Sequence, residues 1–158
     1  MTTAGSNHSI FDKVLSFTEH TGQSIFLTGK AGTGKTTLLR QIREKSSKKL
    51  VVIAPTGVAA MNAKGTTINS FFQLPGGSFF PGDISLENLH SGMVSIQSLV
   101  ADISYSREKR DLLNELGLLI IDEISMVRCD LMDVIDTILR SVRKKQSALW
   151  RGTAVADR

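Results

Sequence analysis

The feature that most constrains how this chain can fold is the stretch "GKAGTGKT", Gly29 to Thr36, which lies between a short apolar run and a segment with a helical pattern. It matches the phosphate-binding pattern G-x-x-x-x-G-K-[ST] in the strand, loop and helix setting that this pattern requires. Gly29, Gly32 and Gly34 permit backbone torsions closed to other residues and leave no Cβ between the loop amides and a ligand. The inward-facing amides and the positive end of the following helix therefore predict a site for a β-phosphate.

The two residues that close the motif predict the chemistry of this site. Lys35 can reach the β- and γ-phosphates of a nucleotide, and the hydroxyl of Thr36 can bind Mg²⁺. The predicted nucleotide-binding residues are Gly29, Ala31, Gly32, Thr33, Gly34, Lys35, Thr36 and Thr37. The alternative is a glycine-rich turn that matches by accident, which a chain of this length and average composition does roughly once in a few hundred tries.

Apolar, β-branched segments alternate along the chain with segments of helical periodicity. Three of them, "SIFLT", "LVVIAP" and "LLIID", predict buried strands. Strands that are apolar on both faces and alternate with helices indicate an α/β fold, a parallel sheet with helices on both faces. The carboxyl ends of the strands should then meet at one edge, where such folds bind their ligands.

Composition divides the chain into one domain and two flanks. We expect residues 1–9 to be disordered, residues 10–145 to form the domain, and residues 146–158 to be an atypical tail. Within the domain, the glycine- and proline-rich residues 75–82 predict a loop. The polar segment from there to about Tyr105 is interpreted as an insertion with little regular structure.

The stretch "LLIIDEIS" predicts the second half of the phosphate site. Asp122 ends a buried strand and would hold Mg²⁺ directly or through a water. Glu123 follows it and could polarise the water that attacks a γ-phosphate, which favours hydrolysis over transfer to a substrate. The alternative is that both carboxylates merely cap or solubilise the end of a strand.

Charge and cysteine content place weaker limits on function. The net charge of +4 is compatible with a polyanionic partner. The lone cysteine, Cys129, excludes an internal disulfide and fits a reducing compartment. No apolar run approaches the roughly 20 residues that span a bilayer. We therefore expect a cytoplasmic protein with no membrane partner; a monomer is favoured, although the sequence does not decide the oligomeric state.

Three stretches together resemble a known family. "TGKAGTGKTTLL", "VVIAPTGVAAMNAKGTTINSFFQLP" and "LLIIDEISMVRCDLMDVIDTILR" resemble successive motifs of the PIF-type DNA helicases, in superfamily one and related to the RecD branch. The resemblance covers about Phe17 to Arg143. It implies a RecA-like domain of a motor that uses ATP and Mg²⁺, moves 5′ to 3′ along single-stranded DNA and unwinds forked or folded DNA.

The resemblance also implies DNA-binding residues, since the segment Ala54 to Pro75 lines the single-strand channel in that family. Thr56 and Gly57 would contact a phosphate, and Phe71 or Phe72 a base or sugar, as stacking side chains do. Asn69 stands where the family usually has histidine, so a contact with DNA there is altered. The alternative for the two phenylalanines is core packing. A solvated helix face is the simpler interpretation of the basic run Arg40, Arg43, Lys45, Lys48 and Lys49.

The chain departs from the family after Arg143. The family continues into a strand ending "GDxxQLPP" and a second motor domain whose arginine completes the ATP site, whereas this sequence reads "KKQSALWRGTAVADR". We therefore expect a partial first motor domain that binds ATP–Mg²⁺ weakly, hydrolyses it slowly and cannot unwind DNA by itself. A non-catalytic ATP- or DNA-binding module is the main alternative, and a P-loop kinase or a ring-forming ATPase is a third.

Overall fold

The computed structural model describes residues 4–30, 32–82, 93–143 and 153–157, and a five-stranded sheet forms its centre. In spatial order the strands are β1 (Ile25–Leu27), β7 (Thr153–Asp157), β6 (Leu118–Ile121), β2 (Leu50–Ala54) and β3 (Thr66–Thr67). Every neighbouring pair is parallel. The predicted α/β fold with a parallel sheet is confirmed, and the carboxyl ends of the strands lie at one edge.

Helices join these strands and cover the sheet. They are α1 (Ala4–His20), α2 (Lys35–Lys45), α3 (Gly57–Asn62), α4 (Ile68–Phe72), α5 (Ile96–Asp102), α6 (Arg107–Glu115) and α7 (Cys129–Arg143), with a 3₁₀ turn at Ile124–Met126. A separate pair of parallel strands, β4 (Ser78–Phe80) and β5 (Met93–Ser95), lies outside the main sheet. No helix in the described part of the chain is long and apolar enough to cross a membrane.

The central strands β2 and β6 are apolar on both faces, because each face packs against helices. Val52, Leu118 and Ile120 point to one side, where they pack with Leu38 and Ile42 of α2. The other face packs with α4, α6 and α7, and its buried residues include Ile53, Leu119, Ile121, Phe72, Leu113, Ile135 and Ile138. All the side chains of β6 are buried, which is why this strand shows no polar alternation in the sequence.

Both predicted flanks of the domain contain regular structure. Helix α1 begins at Ala4, so the prediction of disorder is wrong for residues 4–9. The segment 146–158, predicted to be an atypical tail, contributes β7, which pairs with β1 on one side and β6 on the other. The remaining residues of that segment lie outside the described part of the chain. The phosphate-loop strand and the strand before Asp122 are therefore separated by one strand rather than adjacent.

The segment predicted to have little regular structure is also more ordered than expected. It contains β4, β5 and α5, although residues 83–92 lie outside the described part of the chain. The amide of Phe79 in β4 donates a 2.9 Å hydrogen bond to Asp130 of α7. Burial acts to raise the pKa of Asp130, but this hydrogen bond and the contact with Arg128 outweigh it and hold the pKa below its ordinary value. The ionised carboxylate thus fixes the β4–β5 pair to the core.

Gly65, between α3 and β3, allows the closest backbone approach to the sheet. A Cβ at this position would lie 2.4 Å from the carbonyl oxygen of Val52 in β2, whereas one at Gly76 would meet nothing within 4 Å. We expect Gly65→Ala to lower the free energy of unfolding by about 1–3 kcal/mol, because the backbone must shift to admit the methyl group. Urea denaturation checks this, with Gly76→Ala as the matched control. Equal stability of the two variants would contradict the predicted clash.

Candidate functional site

The glycine-rich loop has the backbone that its sequence predicts. Gly32 and Gly34 have φ values of 79° and 90°, in the left-handed region that side chains rarely adopt. A Cβ at Gly29 would lie 2.7 Å from Oγ1 of Thr33, so this glycine is required by close approach. That hydroxyl donates to the carbonyl of Lys30 at 2.8 Å and closes the turn. Ala31 lies outside the described residues.

Lys35 is the first residue of α2, and its side chain folds back over the loop. Its Nζ donates to the carbonyl oxygen of Gly29 at 2.8 Å and lies 3.5 Å from that of Lys30. Gly34 is the N-cap of α2 and offers no side-chain cap, so the first amides of this helix are not bonded by a capping side chain. An ammonium group and helix amides at one point form an arrangement that suits an anion.

Thr36 and Asp122 line the same cavity, which has a volume of about 440 Å³. Asp122 immediately follows β6, and its amide donates to the carbonyl of Ile53 in β2 at 2.9 Å. The backbone of Asp122 is therefore held in place by β2. Thr37 also lines this cavity, whereas the described loop residues Gly29, Lys30 and 32–35 do not. The two side chains that the sequence predicted as ligands of Mg²⁺ therefore lie on the wall of one cavity.

These two side chains fit a magnesium ion. A hydroxyl and a carboxylate are hard oxygen ligands of the kind that Mg²⁺ prefers. Among the described residues, no group of three His, Cys, Asp or Glu side chains could hold a metal without help. This agrees with a site in which one or two protein oxygens share the ion with phosphate oxygens and waters.

Glu123 has an unusual backbone conformation. Its φ of 53° and ψ of 46° lie in the left-handed region, which is uncommon for a residue other than glycine. Its amide donates to Oδ1 of Asp122 at 3.0 Å, which stabilises the sharp turn after β6. The side chain of Glu123 is exposed. Residues held in this region are concentrated at functional sites, where the surroundings compensate for the strain.

Thr56 and Gly57 lie at the beginning of α3, as the predicted DNA-contacting loop requires. Oγ1 of Thr56 accepts a 3.2 Å hydrogen bond from the amide of Ala59, which makes Thr56 the N-cap. Its hydroxyl proton stays available to a phosphate, since a hydroxyl both accepts and donates. Gly57 is exposed. On the exposed side of α3, Val58 and Met61 are 72% and 79% accessible.

The predicted stacking role of the two phenylalanines is wrong, and the alternative of core packing is what the structure shows. Phe72 is 0% exposed and Phe71 is 7% exposed. The ammonium of Lys109 lies 3.4 Å from the centroid of the Phe71 ring, and burial lowers the pKa of Lys109. The hydroxyl of Tyr105 donates to the carbonyl of Phe72 at 2.7 Å, and burial raises the pKa of Tyr105 to about 12.

Asn69 also turns towards the protein. Its side-chain Nδ2 donates to the backbone carbonyl of Pro75 at 3.2 Å. The backbone carbonyl of Asn69 accepts a hydrogen bond from the amide of Leu74. Asn69 therefore stabilises the turn after α4, where Gln73 has a φ of 55°. Of the five predicted DNA-binding residues, only Thr56 and Gly57 lie together at an accessible helix end.

Sequence reasoning missed the part played by Arg43. It donates to the carbonyl oxygens of Ala63 and Lys64, which lie at the end of α3. The alternating charges of α2 indicated only a solvated face. A contact between residues twenty positions apart leaves no periodic trace in the sequence that could have revealed it.

The chain is similar to helicases of one family. A family described as PIF1-like helicase matches residues 3–155. The ATP-dependent DNA helicase PIF1 of Emericella nidulans is 36% identical over an alignment of 129 positions, which covers 77% of this chain and 15% of that protein. A Pif1 helicase from Bacteroides in complex with ADP-AlF3 and ssDNA superimposes with a TM-score of 0.75 and 36% identity, over 99% of this chain and 32% of that one. A structure of DNA unwinding at forked dsDNA by two coordinating Pif1 helicases gives a TM-score of 0.75 and 38% identity, over 99% of this chain and 33% of that one.

The burial of Phe72 generates a prediction about stability. We expect Phe72→Ala to lower the free energy of unfolding by about 3–5 kcal/mol, because it leaves a cavity in the core. Met61→Ala, a truncation on the exposed face of α3, should change it by less than about 0.5 kcal/mol. Chemical denaturation followed by circular dichroism checks both. A Phe72→Ala protein of unchanged stability would contradict the core-packing role of Phe72.

Proposed function

The chain belongs to the PIF1-like helicase family, and we propose that it forms the ATP-binding part of a motor that hydrolyses ATP and moves 5′ to 3′ along single-stranded DNA. One observation carries the proposal, namely that Thr36, the last residue of the glycine-rich motif, and Asp122 line one cavity. The chain spans about a third of the length of the solved relatives that it matches. Unwinding of forked or folded DNA is therefore proposed for the whole protein.

In this proposal the loop binds the triphosphate of ATP. Lys35 exchanges its carbonyl partners on Gly29 and Lys30 for oxygens of the β- and γ-phosphates, which are stronger acceptors because they are charged. The amides at the beginning of α2 donate to the same phosphates, and the helix dipole favours the negative charge there. Gly29, Gly32 and Gly34 let the backbone wrap around the ligand without a clash.

Thr36 and Asp122 would hold Mg²⁺, and their oxygens suit this ion. When bound, the ion neutralises the charge that develops on the phosphates during transfer. Asp122 is positioned for this task by the hydrogen bond from its amide to β2. Glu123 acts as the base that orients and polarises the attacking water, and its exposed side chain, on the residue after Asp122, supports this role.

Single-stranded DNA is the proposed partner of α3. The hydroxyl of Thr56 and the amide of Gly57 would contact a phosphate, and the exposed Val58 and Met61 would lie against sugars or bases. The relative solved with ADP-AlF3 and ssDNA supports this partner. We further propose a monomer in a cytoplasmic, reducing environment, which suits the free thiol of Cys129.

For these 158 residues alone we propose weak binding of ATP–Mg²⁺, slow hydrolysis and no unwinding. The family resemblance implies that an arginine from a second motor domain completes the ATP site. Such an arginine contributes a factor of about 10³–10⁵ to turnover in related phosphoryl-transfer enzymes. Brisk ATP hydrolysis by the purified chain, stimulated by single-stranded DNA, would contradict this proposal.

Two substitutions separate binding from chemistry. We expect Lys35→Ala to weaken binding of a fluorescent ADP analogue roughly 10- to 100-fold, since it removes a charge-assisted hydrogen bond. Glu123→Gln should leave that affinity unchanged but lower the rate of hydrolysis about 10²- to 10⁴-fold, the usual contribution of a general base.

Lys30→Ala is the matched control for the loop. Lys30 offers its carbonyl, not its side chain, to Lys35 and Thr33. The Lys30→Ala variant should therefore bind the ADP analogue with the affinity of the unmodified chain. If Lys30→Ala and Lys35→Ala weaken binding equally, the effect reflects overall charge and the assignment of Lys35 is wrong.

A further inference from the structure

We propose that Arg43 is a positioning residue that connects the phosphate-loop helix α2 to α3, so that the nucleotide bound at one end of α2 controls the order of the DNA-contacting helix. The inference rests on the proposed function, because it links the nucleotide and DNA sites assigned there. It adds a residue that lines the same cavity as Thr36 and Asp122 and whose hydrogen bonds go to the backbone after α3.

The connection consists of two hydrogen bonds from one guanidinium group. Nη1 of Arg43 donates to the carbonyl oxygen of Lys64 at 2.8 Å and to that of Ala63 at 3.2 Å. Both carbonyls lie just after α3, where helix carbonyls have no partners within the helix. A cation there also complements the negative end of the helix dipole. The guanidinium thus replaces partners that this end of α3 would otherwise lack.

The same end of α3 is fixed to the sheet through Gly65. The amide of Gly65 donates to the carbonyl of Ala60 at 2.8 Å, and its Cα lies against the carbonyl of Val52. Lys64, between the two contacts, has a φ of 51°. Helix α3 therefore leaves β2 at Thr56 and returns to it at Gly65, and Arg43 provides its connection to α2.

A cavity of about 440 Å³ lies between α2 and the end of α3. Its walls include Thr37, Arg40, Arg43 and Glu44 from α2, Asn62 from α3, and Ala63 and Lys64 after it. Ala63 also packs against the apolar cluster that contains Leu38 and Ile42 of α2. The hydrogen bonds of Arg43 add a polar link between the two helices to this apolar contact.

The two ends of α2 are close enough for a rigid connection. Lys35 and Arg43 are eight positions apart in one continuous helix, a distance of about 12 Å along its axis. Leu38 and Ile42, 1% and 0% exposed, pack the intervening turns against the sheet. A phosphate that orders the first turn of α2 therefore restricts the motion of Arg43, and through it the end of α3.

Arg40 provides a matched control on the same helix. It carries the same charge and lines the same cavity, but its recorded partner is Glu44 at 3.8 Å, one turn along α2. Arg40→Ala thus removes an equal charge without touching α3. Arg43→Lys keeps the charge but loses the planar fork of donors, and should restore the connection only in part.

Hydrogen exchange of the whole chain, with and without a non-hydrolysable ATP analogue and Mg²⁺, tests the inference. The amides of Ala63 and Gly65 report on the end of α3, because they are bonded to the carbonyls of Ala59 and Ala60. In the unmodified chain we expect saturating nucleotide to slow their exchange on the order of fivefold or more, the range of ordinary coupling between sites. The slowing should disappear in Arg43→Ala and persist in Arg40→Ala. Each protein is compared at its own saturating nucleotide concentration, because both arginines line the cavity that contains Thr36 and Asp122.

Each outcome decides the matter. Slowing retained in Arg43→Ala, or lost equally in Arg40→Ala, would overturn the inference while nucleotide binding stands. A chain that binds no nucleotide would refute the proposed function, and the inference with it. If Arg43→Ala does not fold, Arg43→Lys carries the test, and slowing as large as in the unmodified chain would overturn the connection.

Discussion

The parallel pairing of β2 with β6 is the constraint on which the other arrangements depend. Its register joins Leu50 to Leu118 and runs without a bulge to Ile53 and Ile121. The amide of Asp122 then continues the ladder onto the carbonyl of Ile53. Since side chains alternate between faces, a slip of one residue would bring the set packed on α2 to the opposite face. The apolar side chains thus fix where the acidic turn and the beginning of α3 emerge.

This pairing explains why Asp122 and Thr56 lie at the same edge of the sheet. Asp122 is the first residue after β6, and Thr56 is the second residue after β2. Because β2 and β6 are paired, the loops that follow them are neighbours. The phosphate loop is supported separately, by α1, since a Cβ at Gly34 would lie 3.2 Å from Cζ of Phe11. A strand pair therefore places the carboxylate, whereas a helix packs against the loop.

The parts predicted correctly from the sequence are those whose determinants are local. The glycine-rich loop, the buried strand before Asp122 and the acidic turn are encoded within a few consecutive residues. The strand β7 was not predicted, because its position between β1 and β6 depends on partners about 35 and 130 positions earlier. The sequence left stacking and core packing open for Phe71 and Phe72 for a related reason. Adjacent aromatic residues on a five-residue helix show no periodicity, and their burial depends on core residues contributed by several other elements.

The basic residues after α2 show how little net charge reveals about a DNA surface. The sequence indicated a solvated face, yet Lys48 donates to the carbonyls of Thr18 and Thr21 at the end of α1. Lys49 pairs with Glu115 of α6, and Arg43 with carbonyls after α3. These cations connect one helix to another, and their charge is partly neutralised where they lie. The proposed DNA surface rests instead on geometry, because the accessible N-cap of α3 combines a hydroxyl, a backbone amide and exposed apolar side chains. The net charge of +4 is compatible with a polyanionic partner but does not locate the surface that would bind it.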